Sequence, residues 1–171
     1  RNLSVNFANA YERINPSAIT WFEFQFGENN NLHYDAVIID PENKRLLLIE
    51  SKRFSNPHTK IASIANDIDR IQNIKNNYRD DFMSRIPDIS NYQIFGVILA
   101  DVWTETRKKK QIYDSFVAGT FITDFLEDNL IKYPPLHNAT YYVGDFDNLP
   151  CDTPKRDVLQ TYHLVSFAWE I

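Results

Sequence analysis

The stretch from His33 to Lys52 constrains the fold more than any other part of the chain. It reads HYDAVIIDPENKRLLLIESK, in which the apolar run Ala36–Ile39 and the apolar run Leu46–Ile49 flank the polar connection Pro41–Lys44. Two short apolar runs joined by so brief a polar link predict a β-hairpin. Pairing Asp40 with Arg45 sets Ile39 opposite Leu46, Val37 opposite Leu48, Asp35 opposite Glu50 and His33 opposite Lys52. Directly opposed residues share a sheet face with Cβ atoms ~4.5–5.5 Å apart. Lys52, two residues beyond Glu50, points to that same face. The pattern therefore predicts two carboxylates and one ammonium at the open end of an apolar ribbon. A slip of one residue would turn Asp35 to the other face and dissolve the group.

The remaining periodicities place this hairpin in an α/β domain. Asn6–Ile14 has Phe7, Ala10, Tyr11 and Ile14 at helical spacing before Pro16. Trp21–Phe26 alternates, with Phe22, Phe24 and Phe26 on one side, and Leu32–Asp40 and Arg45–Lys52 follow as strands. Asn56 is the expected N-cap of a helix with Pro57 in its first turn. Ile61, Ile64, Ala65, Ile68, Ile71 and Ile74 form its apolar stripe. Gln93–Ala100 reads as a buried strand, Thr104–Leu130 as helix broken near Gly119, and Tyr141–Phe146 and Tyr162–Trp169 as strands. The order αβββαβα followed by further strands predicts a mixed β-sheet flanked by helices. The 171 residues suffice for one domain, and no repeat or linker divides them. The chain opens at Arg1 rather than Met, which leaves room for a longer protein around this domain.

Several chemistries are excluded by what is missing. Cys151 stands alone and the four histidines, His33, His58, His137 and His163, are scattered, so a Cys/His zinc site is not expected. No glycine-rich nucleotide loop and no GxSxG is present. No apolar run approaches the ~18 residues of a membrane helix, and no basic-then-apolar leader opens the chain; a cytoplasmic, non-membrane protein is the expectation. Carboxylates remain as the source of chemistry. Two close, partly buried carboxylates repel one another, and a hard divalent cation relieves that repulsion; all-oxygen ligands suit Mg²⁺ or Mn²⁺. Net charge is −5, yet Lys44–Lys60 holds five basic residues against Glu50, and Arg107–Lys110 is wholly basic. The plainer alternative for Asp35, Glu50 and Lys52 is a salt-bridge cluster at a strand end, and Asp67 and Arg70, spaced i,i+3, would pair with each other.

Asp35, fourteen intervening residues and then Glu50-Ser51-Lys52, with a helix and a buried strand following, resembles the PD-(D/E)xK nuclease superfamily across residues 6–78. Tyr34 stands where that family often has proline before its aspartate. The resemblance implies a restriction-endonuclease-like fold and a metal-dependent nuclease hydrolysing phosphodiester bonds, with DNA as the expected substrate. It also implies roles. Asp35 and Glu50 would ligate Mg²⁺ or Mn²⁺, joined by the backbone carbonyl of Ser51. Lys52 would orient the attacking water or help deprotonate it. Glu12, or failing that Glu23, would add a further acid. Arg53, Lys60, Arg107, Lys108, Lys109 and Lys110 would contact nucleic-acid phosphates, and a homodimer would suit cleavage of both strands. The alternative is a catalytically silent nuclease-fold domain that binds nucleic acid or a protein partner.

Overall fold

The computed structural model describes residues 2–27, 32–74, 89–130, 138–145 and 161–171, together with 80, 84–86 and 136. Its described elements run α1 (Asn2–Ile14), β1 (Ile19–Phe26), β2 (Leu32–Asp40), β3 (Arg45–Arg53), α2 (Pro57–Gln72), β4 (Gln93–Trp103), α3 (Arg107–Ala118), α4 (Phe121–Leu130), β5 (Thr140–Asp145) and β6 (Tyr162–Glu170). The six strands form one mixed sheet in the order β1-β2-β3-β4-β6-β5. Only β3 and β4 are parallel; the other neighbours are antiparallel. A parallel pair needs a crossover, and α2 lies within the one that joins β3 to β4.

Each face of the sheet has its own apolar cluster. On one side Ala8 of α1, with Leu3, Phe7 and Tyr11, packs on Ala36, Ile38, Leu47, Ile49, Val97 and Leu99. On the other, Ile64, Ala65, Ile68 and Ile71 of α2 join Val37, Leu46, Leu48, Ile98 and the aromatic rings Phe116 and Phe121 of α3 and α4. Coverage on both faces accounts for the unbroken apolar runs in β2 and β3. Gly119, at φ 71°, takes the left-handed conformation that ends α3 and lets α4 begin.

The β2–β3 turn is anchored by a buried acid. Asp40 accepts hydrogen bonds from Tyr11 Oη (2.8 Å), Asn43 N (3.0 Å) and Asn43 Nδ2 (2.9 Å). Burial acts to raise its pKa, but these donors and Arg45 outweigh burial and lower it. The anchor holds the expected pairing: Asp40 faces Arg45, Ile39 faces Leu46 and Val37 faces Leu48.

Several local expectations are revised. Helix α1 starts at Asn2, and β4 continues to Trp103. Asn56 sits at the N-cap of α2 in extended conformation without a side-chain capping bond. Phe22 does not join Phe24 and Phe26: those two are fully buried, whereas Phe22 is 38% exposed and pairs with Ala36. The alternation breaks at Glu23, whose φ is 50°. Phe146, His137 and Cys151 lie outside the described residues.

Gly96 pairs with Trp169 across β4 and β6, and a Cβ at Gly96 would collide with the indole. Gly96→Ala is expected to lower stability by about 1–3 kcal/mol, the cost of overpacking a filled core. Gly144→Ala, whose Cβ would meet Leu164 Cβ at an ordinary 3.7 Å, is expected to stay within about 0.5 kcal/mol. Urea unfolding of the two variants beside the parent checks the contrast.

Candidate active site

The site is built at the end of the β2–β3 hairpin remote from its turn. The ladder runs as far as Ala36–Ile49, one pair short of Asp35 and Glu50. Pairing ends there because the Asp35 carboxylate takes the place of a strand acceptor. Its Oδ2 receives Ser51 N at 2.7 Å and Ser51 Oγ at 2.6 Å. On the other side, β1 and β2 pair at Phe22–Ala36 and Phe24–Tyr34 but not at Glu23–Asp35. Asp35 thus lies at an irregularity shared by both of its neighbours.

Glu50 and Lys52 follow Leu46 and Leu48 on the face that α2 covers. That face has no water to spare: Glu50 is 3% exposed. Its charge is met by a closed ring of ion pairs. Arg70 Nη2 donates to Glu50 Oε1 and lies 3.1 Å from Asp67 Oδ1. Lys52 Nζ is 2.7 Å from Asp67 Oδ2 and 3.4 Å from Glu50 Oε2. The Arg70 guanidinium also stands over the ring of Tyr34, 5.4 Å from its centroid.

The electrostatic consequences differ for the two strand residues. Burial, reinforced by the charge of Asp67, pushes Glu50 from its ordinary 4.5 up to about 7; Arg70 and Lys52 oppose the rise and Asp35 adds to it. For Lys52, burial alone would lower the pKa, but the ion pair with Asp67 and the charges of Glu50 and Asp35 outweigh burial and raise it. A lysine so held keeps its proton at neutral pH. It is suited to donating a hydrogen bond and setting positive charge, not to acting as a base.

The predicted residues divide clearly. Glu50 and Lys52 meet; Asp35 is near enough for its charge to act on both, although its carboxylate is turned to Ser51. Ser51 holds Asp35 through its N–H and hydroxyl. Glu12 is not part of the group: α1 lies on the opposite face of the sheet, and Glu12 Oε1 accepts from Thr20 Oγ1 at 2.5 Å. Glu23 is exposed and 3.9 Å from His33; His33 pairs with Gln25 of β1, and the β2–β3 ladder ends at Ala36–Ile49, short of a pairing between His33 and Lys52.

The basic residues are largely engaged within the chain. Arg53 Nε is 3.1 Å from Asp101 Oδ2, Lys109 is 3.2 Å from Glu105 and Lys110 is 2.7 Å from Asp114. Lys108 lies over the Phe125 ring at 4.7 Å. Arg107 is exposed at the start of α3 and Lys60 is half-buried in the first turn of α2. Because β3 and β4 run parallel, α3 begins from the same end of the sheet at which Glu50 and Lys52 sit.

Asp67 and Arg70 are the members that sequence spacing left as a mutual pair. Asp67 is 5% exposed and occupies the apolar stripe of α2 between Ile64, Ile68 and Ile71. An acid on a buried stripe requires a partner inside the protein, and that was the legible signal.

The carboxylate oxygens present are of the kind a hard divalent cation takes. Among the described residues no group of three or more His, Cys, Asp and Glu side chains is placed to hold a metal. Asp35 and Glu50 supply two carboxylates, the number with which Mg²⁺ is commonly bound while it keeps several waters. Among the described residues Asp35 Oδ1 receives no hydrogen bond, which leaves that oxygen for a cation.

Glu50 binds a proton in the folded protein that the unfolded chain releases between pH 4.5 and about 7. Its contribution to stability is therefore present in full below pH 4.5 and is lost as pH rises through 7. Glu50→Gln removes this dependence. The stability difference between parent and variant, from urea unfolding at pH 5 and pH 8, is expected to shift against the parent by on the order of 2 kcal/mol. No family model, curated protein or solved structure matches the chain.

Proposed function

We propose that the protein is a divalent-metal-dependent phosphodiesterase of the restriction-endonuclease-like fold, acting on DNA. The observation that carries this reading is the placement of Glu50 and Lys52 side by side on one face at the end of β3, with Asp35 beside them on β2. A β-hairpin followed by a crossover helix and a parallel strand supports the assignment of fold. Asp35 and Glu50 would hold Mg²⁺ or Mn²⁺, with Ser51 offering its carbonyl. Such a cation, when bound, lowers the pKa of water and offsets charge that develops on a phosphate. Lys52, kept protonated by Asp67 and Glu50, presents its ammonium to a phosphate oxygen. Asp67 holds that ammonium in place. Arg107 and Lys60 contribute positive charge for backbone phosphates, which positions a duplex without reading its sequence. Cleavage of both strands calls for two such sites, hence a homodimer.

A second reading rests on the ion pairs. Both oxygens of Glu50 face cations of the protein itself, and a site so neutralised suits a silent nuclease-fold domain that binds nucleic acid or a protein partner.

Incubation with supercoiled plasmid separates the two. With Mg²⁺ or Mn²⁺ the protein is expected to nick or linearise the DNA. Lys52→Ala and Asp35→Asn should each reduce the rate about a hundredfold or more. The asparagine keeps an acceptor for Ser51 while removing the charge. Cleavage by both variants at the parental rate would overturn the catalytic reading; absence of cleavage by the parent, with DNA retained in a gel shift, would favour the silent domain.

A further inference from the structure

One member of the ring of ion pairs is shared between two acids. Arg70 serves two carboxylates, Glu50 and Asp67, through the single nitrogen Nη2, while its Nε is buried and has no hydrogen-bond partner among the described residues. A guanidinium binds a carboxylate best through two parallel N–H bonds, and here it does not. Arg70 also has two places to remain if it lets Glu50 go: Asp67, one helical turn away, and the face of the Tyr34 ring. Lys52 has its closer contact with Asp67 as well, 2.7 Å against 3.4 Å to Glu50. Lys52 thus leans to Asp67, whereas Arg70 lies closer to Glu50 and keeps Asp67 as its second partner, so Arg70 is the cation that holds Glu50.

We propose that Arg70 is a built-in competitor of the divalent cation. It occupies Glu50 Oε1 in the metal-free protein and swings onto Asp67 and Tyr34 when a cation takes that oxygen. This rests on the metal-dependent reading above and adds to it a residue that sets the cation concentration at which the site fills. The physical basis is charge balance. Glu50 and Asp67 match Lys52 and Arg70 one for one and Asp35 adds one further negative charge, so a dication meets a single unmatched carboxylate until Arg70 gives up Glu50. A hydrogen bond from arginine to a carboxylate is strong enough for its removal to tighten cation binding about tenfold or more.

Mn²⁺ binding, followed by loss of the free-ion electron paramagnetic resonance signal, tests this without any need for turnover. Arg70→Gln is expected to bind Mn²⁺ about tenfold more tightly than the parent, and Glu50→Ala to bind none at this site. Carboxylates bared by a damaged fold would bind Mn²⁺ without regard to Glu50, so a gain that the double variant Arg70→Gln/Glu50→Ala loses supports the competitor role directly. Equal or weaker affinity in a folded Arg70→Gln, with binding still abolished by Glu50→Ala, overturns the role of Arg70 and leaves the metal site standing. Failure of both parent and Arg70→Gln to bind Mn²⁺ in a Glu50-dependent way overturns the metal site itself. Should Arg70→Gln not fold, the guanidinium resonance of Arg70 in the parent decides: it is expected to shift as Mg²⁺ saturates the protein, and an unmoved resonance at saturation overturns the proposal.

Discussion

A carboxylate buried in an apolar wall must be neutralised, and Glu50 is such a carboxylate. The rest of the site follows from that need. Lys52 lies two residues along the same strand face, and Arg70 reaches in from α2. Two cations for one acid would leave an excess of positive charge, and Asp67 removes it by bridging both. The helix can supply these side chains because α2 belongs to the crossover between β3 and β4, and lies against the strand that carries Glu50.

The position of Glu50 is set from the far end of the hairpin. Asp40 is held by Tyr11 of α1 and by Asn43 of the turn, so the helix on one face of the sheet fixes the pairing that governs what appears on the other. A shift of one residue would turn every side chain of the slipped strand to the opposite face, out of the cluster it fills, which makes the arrangement stiff against slippage. The two clusters on opposite faces reinforce it, since Ile38 and Leu47 belong to one and Val37 and Leu48 to the other.

Much of this was legible in residue order. The hairpin register, the apolar stripe of α2 and the break at Gly119 follow from alternation, helical spacing and glycine chemistry, which act locally. What escaped depends on contacts between distant segments. Glu12 looked available on a helix near the hairpin, yet only the assembled sheet reveals that α1 covers the wrong face. The alternation of β1 failed at Phe22 because Glu23 adopts a left-handed backbone, which nothing in the residue type announces. Asp35 was expected across from Glu50 and instead binds Ser51, since a strand end with an unmet N–H offers its carboxylate a nearer donor.

That last contact makes Asp35 both a charge and a splice in the sheet. Its Oδ2 completes the edge of β3 where the main chain of β2 no longer does. Any event that draws this carboxylate outward loosens the Ser51 amide, and any fraying of the ribbon's tip frees the carboxylate. The seat of the Asp35 charge and the tightness of the hairpin mouth are thereby one variable: where that carboxylate lies decides how firmly two strands are zipped.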